Sequence, residues 1–243
     1  MKKVDSKIMS LVRHAIKDKQ MIKNGDRVAI GLSGGKDSSV LAACLAEYQK
    51  YSSVKFDLIA VTIDMGFEAL NLECNLDKLK EFVGELGIEY IIEKTNIADV
   101  VFNIRAEKNP CALCSKLRRG ILNSVLIKKG FNKLALGHHA DDLMETFLLS
   151  LLYEGRLSTF APVSFMDKSG VTLIRPMIYV DETAVRAAAS EMPVVFNPCP
   201  SNRCTKREDM KNLIKQFQSA NAGARKNIFG AITTPSRNNL WED

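Results

Sequence analysis

One passage constrains this 243-residue chain more than any other: an apolar run, a glycine turn and a second apolar run follow each other without a break. Arg27-Val28-Ala29-Ile30-Gly31-Leu32 reads as a buried strand. Ser33-Gly34-Gly35-Lys36-Asp37-Ser38 reads as the turn, and Val40-Leu41-Ala42-Ala43-Cys44-Leu45 as the body of a helix. A buried strand that enters a helix through so short a turn belongs to a wound α/β sheet.

The rest of the chain continues that alternation. Further strands are expected at Phe56 to Ile63, Ile88 to Ile92, Lys133 to Gly137 and Val171 to Arg175. Helices are expected over 73–86, 115–129, 141–153, 181–191 and 205–220, with an N-terminal helix over 6–22 that ends near Asn24-Gly25. The fold class is therefore α/β, a parallel twisted sheet with helices on both faces and an N-terminal helix. Three parts are expected: a helical segment 1–24, the main domain 25–220, and an irregular tail 221–243 whose polar sequence carries Pro235 and Asn238-Asn239. In such sheets ligands bind beyond the carboxyl ends of the strands, so the turns after Leu32, Ile63 and Gly137 converge on one crevice.

Hydrophobic residues make up 46% and charged residues 26%, an ordinary globular balance. No run approaches the ~20 apolar residues of a membrane span, and no apolar segment follows Lys2-Lys3, so a cytoplasmic protein away from the membrane is expected. Six cysteines in that compartment point to metal or redox chemistry before disulfides. Lys and Arg number 34 against 28 Asp and Glu, a net charge of +6 that permits a polyanionic partner without requiring one.

Gly34 and Gly35 let backbone approach a ligand closely, and the helix behind them offers unpaired N–H groups to phosphate. Ser33 and Ser38 add hydroxyls and Lys36 a charge. The loop is not a Walker A sequence, which needs Gly where Ile30 stands and Ser or Thr where Asp37 stands. Gly137-His138-His139-Ala140-Asp141-Asp142 opens a second helix. Two carboxylates there exceed what a cap needs, so a ligand or metal role is expected, with Asp37 and Asp142 as Mg²⁺ ligands. The His pair fits polar core or phosphate contact equally. The apolar helix 143–153 is expected to be buried, with a homodimer contact as the alternative.

Cys111-Ala112-Leu113-Cys114 opens a helix, and Lys116, Arg118 and Arg119 nearby favour thiolate. Alone, the pair fits a zinc half-site, a redox pair or a cluster half-site. Cys44 sits on an apolar stripe and reads as core, and Cys74 has no partner motif. Cys199 stands between Pro198 and Pro200. Three cysteines with an open position suit an iron–sulfur cluster, whereas four, with Cys204, suit zinc, and spacing alone leaves both open.

The hexapeptide Ser33 to Ser38 resembles the SGGxDS signature of the PP-loop ATP pyrophosphatases (adenine nucleotide alpha hydrolase-like). Together with Cys111 to Leu122, Leu134 to Asp142, Ile174-Arg175-Pro176 and Pro198-Cys199, the chain resembles the tRNA 2-thiocytidine synthetase group of that family over residues 25–215. The resemblance implies ATP, Mg²⁺, tRNA and a 4Fe–4S cluster on Cys111, Cys114 and Cys199. It implies ATP contacts from Ser33, Gly34, Gly35, Lys36, Asp37, Ser38, Ile63, Gly137 and Asp142, with Ile63 offering backbone to adenine. Lys36, Asp37, Asp142 and Arg118 are implied in catalysis: adenylation of the C2 oxygen of an anticodon-loop cytidine, then replacement by sulfur from a donor such as a cysteine desulfurase or sulfide. The cysteines argue against the lysidine synthetases, which share the loop but transfer lysine. A lysidine synthetase-like ligase without sulfur chemistry is nevertheless one alternative; a cluster-dependent thiolase or desulfidase acting on another base and a nucleotide-binding module without catalysis are the others.

Overall fold

The structure is a computed structural model and describes residues 4–72, 75–108, 110–195, 198–200 and 206–234. Helices α1 (Ser6–Asp18), α2 (Lys36–Tyr51) and α3 (Asp77–Leu86) alternate with strands β1 (Arg27–Gly31), β2 (Asp57–Asp64) and β3 (Glu89–Lys94). A short turn α4 (Ile97–Asp99) runs on into a π-helical turn, Val100–Ile104. Then come α5 (Pro110–Lys129), β4 (Lys133–Ala135), α6 (Ala140–Glu154), β5 (Val163–Met166), β6 (Val171–Ile174), α7 (Glu182–Ala189), α8 (Lys206–Ala220) and α9 (Ala224–Thr233).

The six strands form one sheet in the order β3-β2-β1-β4-β6-β5, parallel except for β5, which pairs antiparallel with β6. The expected parallel sheet is present, with β5 an unforeseen edge. Successive residues of β1 face opposite sides. Val28 and Ile30 enter the larger core with α1, α2 and α7, while Ala29 joins Ile59, Val61 and Leu134 beneath Leu122, Val125 and Leu126 of α5. That two-residue alternation, apolar on both sides, is what a sheet covered on both faces requires.

Two expectations at the ends of the chain are corrected. The first helix stops at Asp18, although apolar residues continue to Ile22: Gln20 has φ 47°, and Met21 and Ile22 are buried in extended chain. The tail is not irregular throughout, because Ala224–Thr233 is helical and sets Ile228, Phe229 and Ile232 against Met144 and Leu148 of α6 and Met210 and Ile214 of α8. Thr205 and the stretch 235–243 lie outside the described residues.

Candidate active site

The winding of the sheet switches sides between the parallel neighbours β1 and β4. From β1 the chain winds to β2 and β3 on one side, whereas β4 leads to β6 and β5 on the other. A crevice opens at the carboxyl ends of such neighbouring strands, and it carries the turn Ser33 to Ser38 after β1 and Gly137-His138-His139 after β4.

The first turn is fixed by its own hydroxyls. Ser38 Oγ donates to the Gly35 carbonyl at 2.9 Å and accepts from the Ser33 amide at 3.1 Å, with Ser33 Oγ also 3.1 Å away. Gly34 has φ 80°, and a Cβ on it would lie 3.0 Å from Val195, whose amide donates to the Gly34 carbonyl at 2.9 Å. Gly35 caps α2 without a side-chain hydrogen bond, so the amides of the first turn are not taken up by a cap. Gly137 serves close approach: a Cβ there would meet the Asp37 carbonyl carbon at 2.9 Å. Ile63 stands two residues beyond the last β1–β2 pair, Gly31 with Val61, so its backbone edge leaves the ladder at the crevice.

The charged groups form one network. Lys36 Nζ lies 2.6 Å from Asp37 Oδ1 and 3.2 Å from Glu182 Oε1. Lys211 also reaches Glu182 at 3.2 Å. Burial works against ionising Glu182, but Lys36 and Lys211 outweigh it and hold the carboxyl down at about 2. His139 is buried, with Nε2 3.6 Å from Asp37 Oδ1 and 3.5 Å from Asp142 Oδ2. Two carboxylates therefore face Nε2 of one imidazole, and a third, Asp141, lies 3.7 Å from its Nδ1. Asp142 Oδ2 accepts from the His139 amide at 3.0 Å, and its Oδ1 from Arg207 Nη1 at 2.9 Å. Arg207 and Lys211 also approach Glu145, whose carboxyl is pushed up to about 7 by burial.

The structure separates the two adjacent aspartates. Asp141 takes the Glu182 amide at 2.7 Å, and Arg225 of α9 grips both of its oxygens, one of them at 2.6 Å. It is a structural anchor, which leaves Asp142 as the carboxylate facing the crevice. Glu182, Arg207, Lys211 and Arg225 escaped the sequence reading.

Cys111 and Cys114 occupy the first turns of α5. Cys111 is exposed, and Cys114 and Cys199 are half-buried. Burial pushes the Cys114 thiol up, against the pull of the Arg118 guanidinium one turn along, and Cys199 and Cys111 push it further. The expected thiolate bias from the helix end and its arginines is thus reversed at Cys114 by burial. The same influences put both Cys111 and Cys199 within electrostatic reach of Cys114. Among the described residues, however, no three His, Cys, Asp or Glu side chains stand close enough to enclose a metal ion. The thiols are at electrostatic range, short of coordination range. Cys44 is fully buried with its thiol at about 12, as expected of core. Cys74 and Cys204 lie outside the described residues.

A crossover sheet with an SGGxDS turn at its switch point defines a class, and a family model described as the PP-loop domain matches residues 3–217. A tRNA-cytidine(32) 2-sulfurtransferase of Geobacter sulfurreducens is 36% identical over 93% of this chain and 88% of its own, and one of Bordetella avium is 36% identical over 95% and 73%. Among solved structures, the U34-tRNA thiolase NcsA from Methanococcus maripaludis, with its [4Fe-4S] cluster, aligns with a TM-score of 0.74 at 27% identity, over 97% of this chain and 80% of that one. The chain belongs to the PP-loop family, and within it to the tRNA 2-thiocytidine synthetase group. No helix among the described residues is long and apolar enough to cross a membrane.

Proposed function

We propose that the protein uses ATP to replace the C2 oxygen of a tRNA cytidine by sulfur, at the position 32 that its relatives' names carry. Two observations support this most: a hydroxyl-locked phosphate turn at the carboxyl end of β1, and the Cys111 and Cys199 thiols within electrostatic reach of Cys114.

In the first half-reaction the C2 oxygen attacks the α-phosphorus of ATP, and the α–β bond breaks to release pyrophosphate. The first amides of α2, the Ser33 and Ser38 hydroxyls and Lys36 bind the phosphates. Glu182 holds the Lys36 ammonium over the turn from the opposite wall. Asp37 and Asp142 supply two hard oxygen ligands on the same side of His139, which fits Mg²⁺. Ile63 receives the adenine through its backbone. In the second half-reaction sulfur bonds to C2 and the C2–O bond breaks, with AMP leaving. Cys111 and Cys199 within electrostatic reach of Cys114 make a donor set that fits a 4Fe–4S cluster; these three thiols would hold it, and it would supply iron chemistry for the sulfur transfer. Arg118, beside Cys114, offsets the negative charge that gathers there. A cysteine desulfurase or sulfide delivers the sulfur.

The test is mass spectrometry of tRNA nucleosides from cells with and without the gene. Loss of 2-thiocytidine is expected. An unchanged level overturns the substrate assignment.

A further inference from the structure

Arg175 is not used by the reaction as described, yet its burial with an unpartnered Nε is costly as it stands. It ends β6, is 7% exposed, and among the described residues has no carboxylate within ion-pair distance. Its Nη1 donates to the Ala161 carbonyl at 2.6 Å and to Ser164 Oγ at 3.3 Å, and its guanidinium lies 4.8 Å from the centre of the Phe160 ring. Those neutral contacts fix the fork but leave the charge uncompensated, and the buried Nε has no partner. A buried, unpaired cation is unfavourable unless an anion meets it. The surroundings sharpen the problem. Burial first, and then the positive charge of Arg119 on α5, lowers the proton affinity of Arg175, so a second cation lies within electrostatic reach of it. His138, 5.0 Å from the same Phe160 ring, also has a buried ring nitrogen, Nδ1, without a partner.

The position is informative. The Leu136 amide donates to the Ile174 carbonyl at 3.0 Å, which sets the ends of β4 and β6 side by side. His138 and Arg175 follow directly, so both stand at the crevice. Burial holds the His138 imidazole down at about 4, with Asp142 acting to raise it and Arg175 and Arg207 to lower it further. Arg119 lies one residue past Arg118, the partner of Cys114. His138 and Arg175 therefore stand at the same end of the sheet as Gly137 and Asp142.

We propose that Arg175 and Arg119, with His138 beside them, form a second anion site that takes a phosphate oxyanion, separate from the turn after β1. Two sources carry that chemistry: the phosphate of AMP, attached to the base or leaving it, and a backbone phosphodiester of the tRNA. The placement rests on the proposed function, but the site itself does not, since any phosphate relieves the same two cations.

Arg119 is exposed, so Arg119→Gln is the clean variant, and Arg175→Lys, which keeps the charge but not the fork, is the second. Three probes are applied to the protein with its cofactor and without turnover: inorganic phosphate by thermal shift, AMP by calorimetry, and an unmodified tRNA transcript by salt-dependent binding. Without ligand, Arg119→Gln is as stable as the wild type or more so, because a like charge has gone. Its phosphate-induced shift is smaller than that of the wild type. A Kd for AMP raised about tenfold identifies the nucleotide phosphate. A tRNA salt slope smaller by about 0.7–0.9 identifies the backbone. If both variants respond to all three probes as the wild type does, the site is overturned and Arg175 is an internal strut. Normal loss of the phosphate shift in a protein that makes no 2-thiocytidine keeps the site and removes only the reaction.

Discussion

On the nucleotide side, Ser38 bonds to both Ser33 and Gly35, Gly34 is held by Val195, and Gly137 lies against the Asp37 backbone. On the sulfur side, Cys111 is exposed, Cys114 has its thiol raised by burial, and no three donors among the described residues enclose a metal. One half is organised by the chain alone. The other brings Cys111 and Cys199 to electrostatic range of Cys114 and leaves the last step to the proposed cluster. A phosphate contributes little strain to an already formed anion cradle, whereas thiolates gathered without a metal repel each other. Folding can complete the first half in advance but not the second.

The sharpest way to break this comparison is to remove a thiol. Cys199→Ala is expected to lose the cluster entirely, and Cys44→Ala to keep it, measured as iron and acid-labile sulfide per chain. Equal iron in both variants removes the ligand assignment. On the nucleotide side, Asp37→Ala should leave iron content unchanged and slow pyrophosphate release by about 100- to 1000-fold, the scale of one lost charge-stabilising group. Wild-type turnover in that variant sinks the role of the turn.

The sequence showed the organised half well, because its parts are local: a strand, a hexapeptide and a helix in succession need no tertiary information. Cys44 was legible as core for the same reason. Glu182, Arg207 and Arg225 were not, because each acts across the fold; Arg207 meets Asp142 at a separation of 65 residues, and none sits in a motif. The edge strand β5 is four residues long, with a half-exposed burial pattern that leaves no clear alternation to detect. The C-terminal helix was missed because it buries no residue completely. Its signal was the helical spacing of Ile228, Phe229 and Ile232, outweighed by Asn221, Gly223 and Gly230 around it.

The charge network between the two halves gives the next effect. Glu145 is buried and faced by Lys211 and Arg207 of α8, with Asp141 and Asp142 on its own helix. Its folded carboxyl titrates at about 7 against 4.5 in the free side chain. The folded chain thus keeps a proton that the unfolded chain releases, and this contribution, full below pH 4.5, is lost as pH rises towards 7. Glu145→Gln keeps the uncharged shape, so the wild type should lose roughly 3 kcal/mol relative to the variant across that window. Parallel stability curves from denaturant titrations at pH 4.5, 6 and 7 would show instead that Glu145 stays ionised on its two cations.

The smallest expected effect tests whether α9 belongs to the organised half. Arg225 is one-fifth exposed and grips Asp141, which is nearly buried, while its Nη2 also reaches Asp181 at 2.7 Å. Asp141 in turn accepts the first amide of α7, the helix that carries Glu182, and lies 3.7 Å from His139 Nδ1. Arg225→Ala leaves that carboxylate with its amide alone. A loss of about 2 kcal/mol is expected, between the exposed and buried limits for an ion pair. Because Glu182 and His139 both depend on Asp141, the KM for ATP should rise with little change in iron content. Arg225→Lys, which retains one charged contact, should recover part of each. If stability falls while the KM for ATP stays at the wild-type value, α9 merely covers the Met144 and Leu148 face of α6, and the nucleotide half ends at α8.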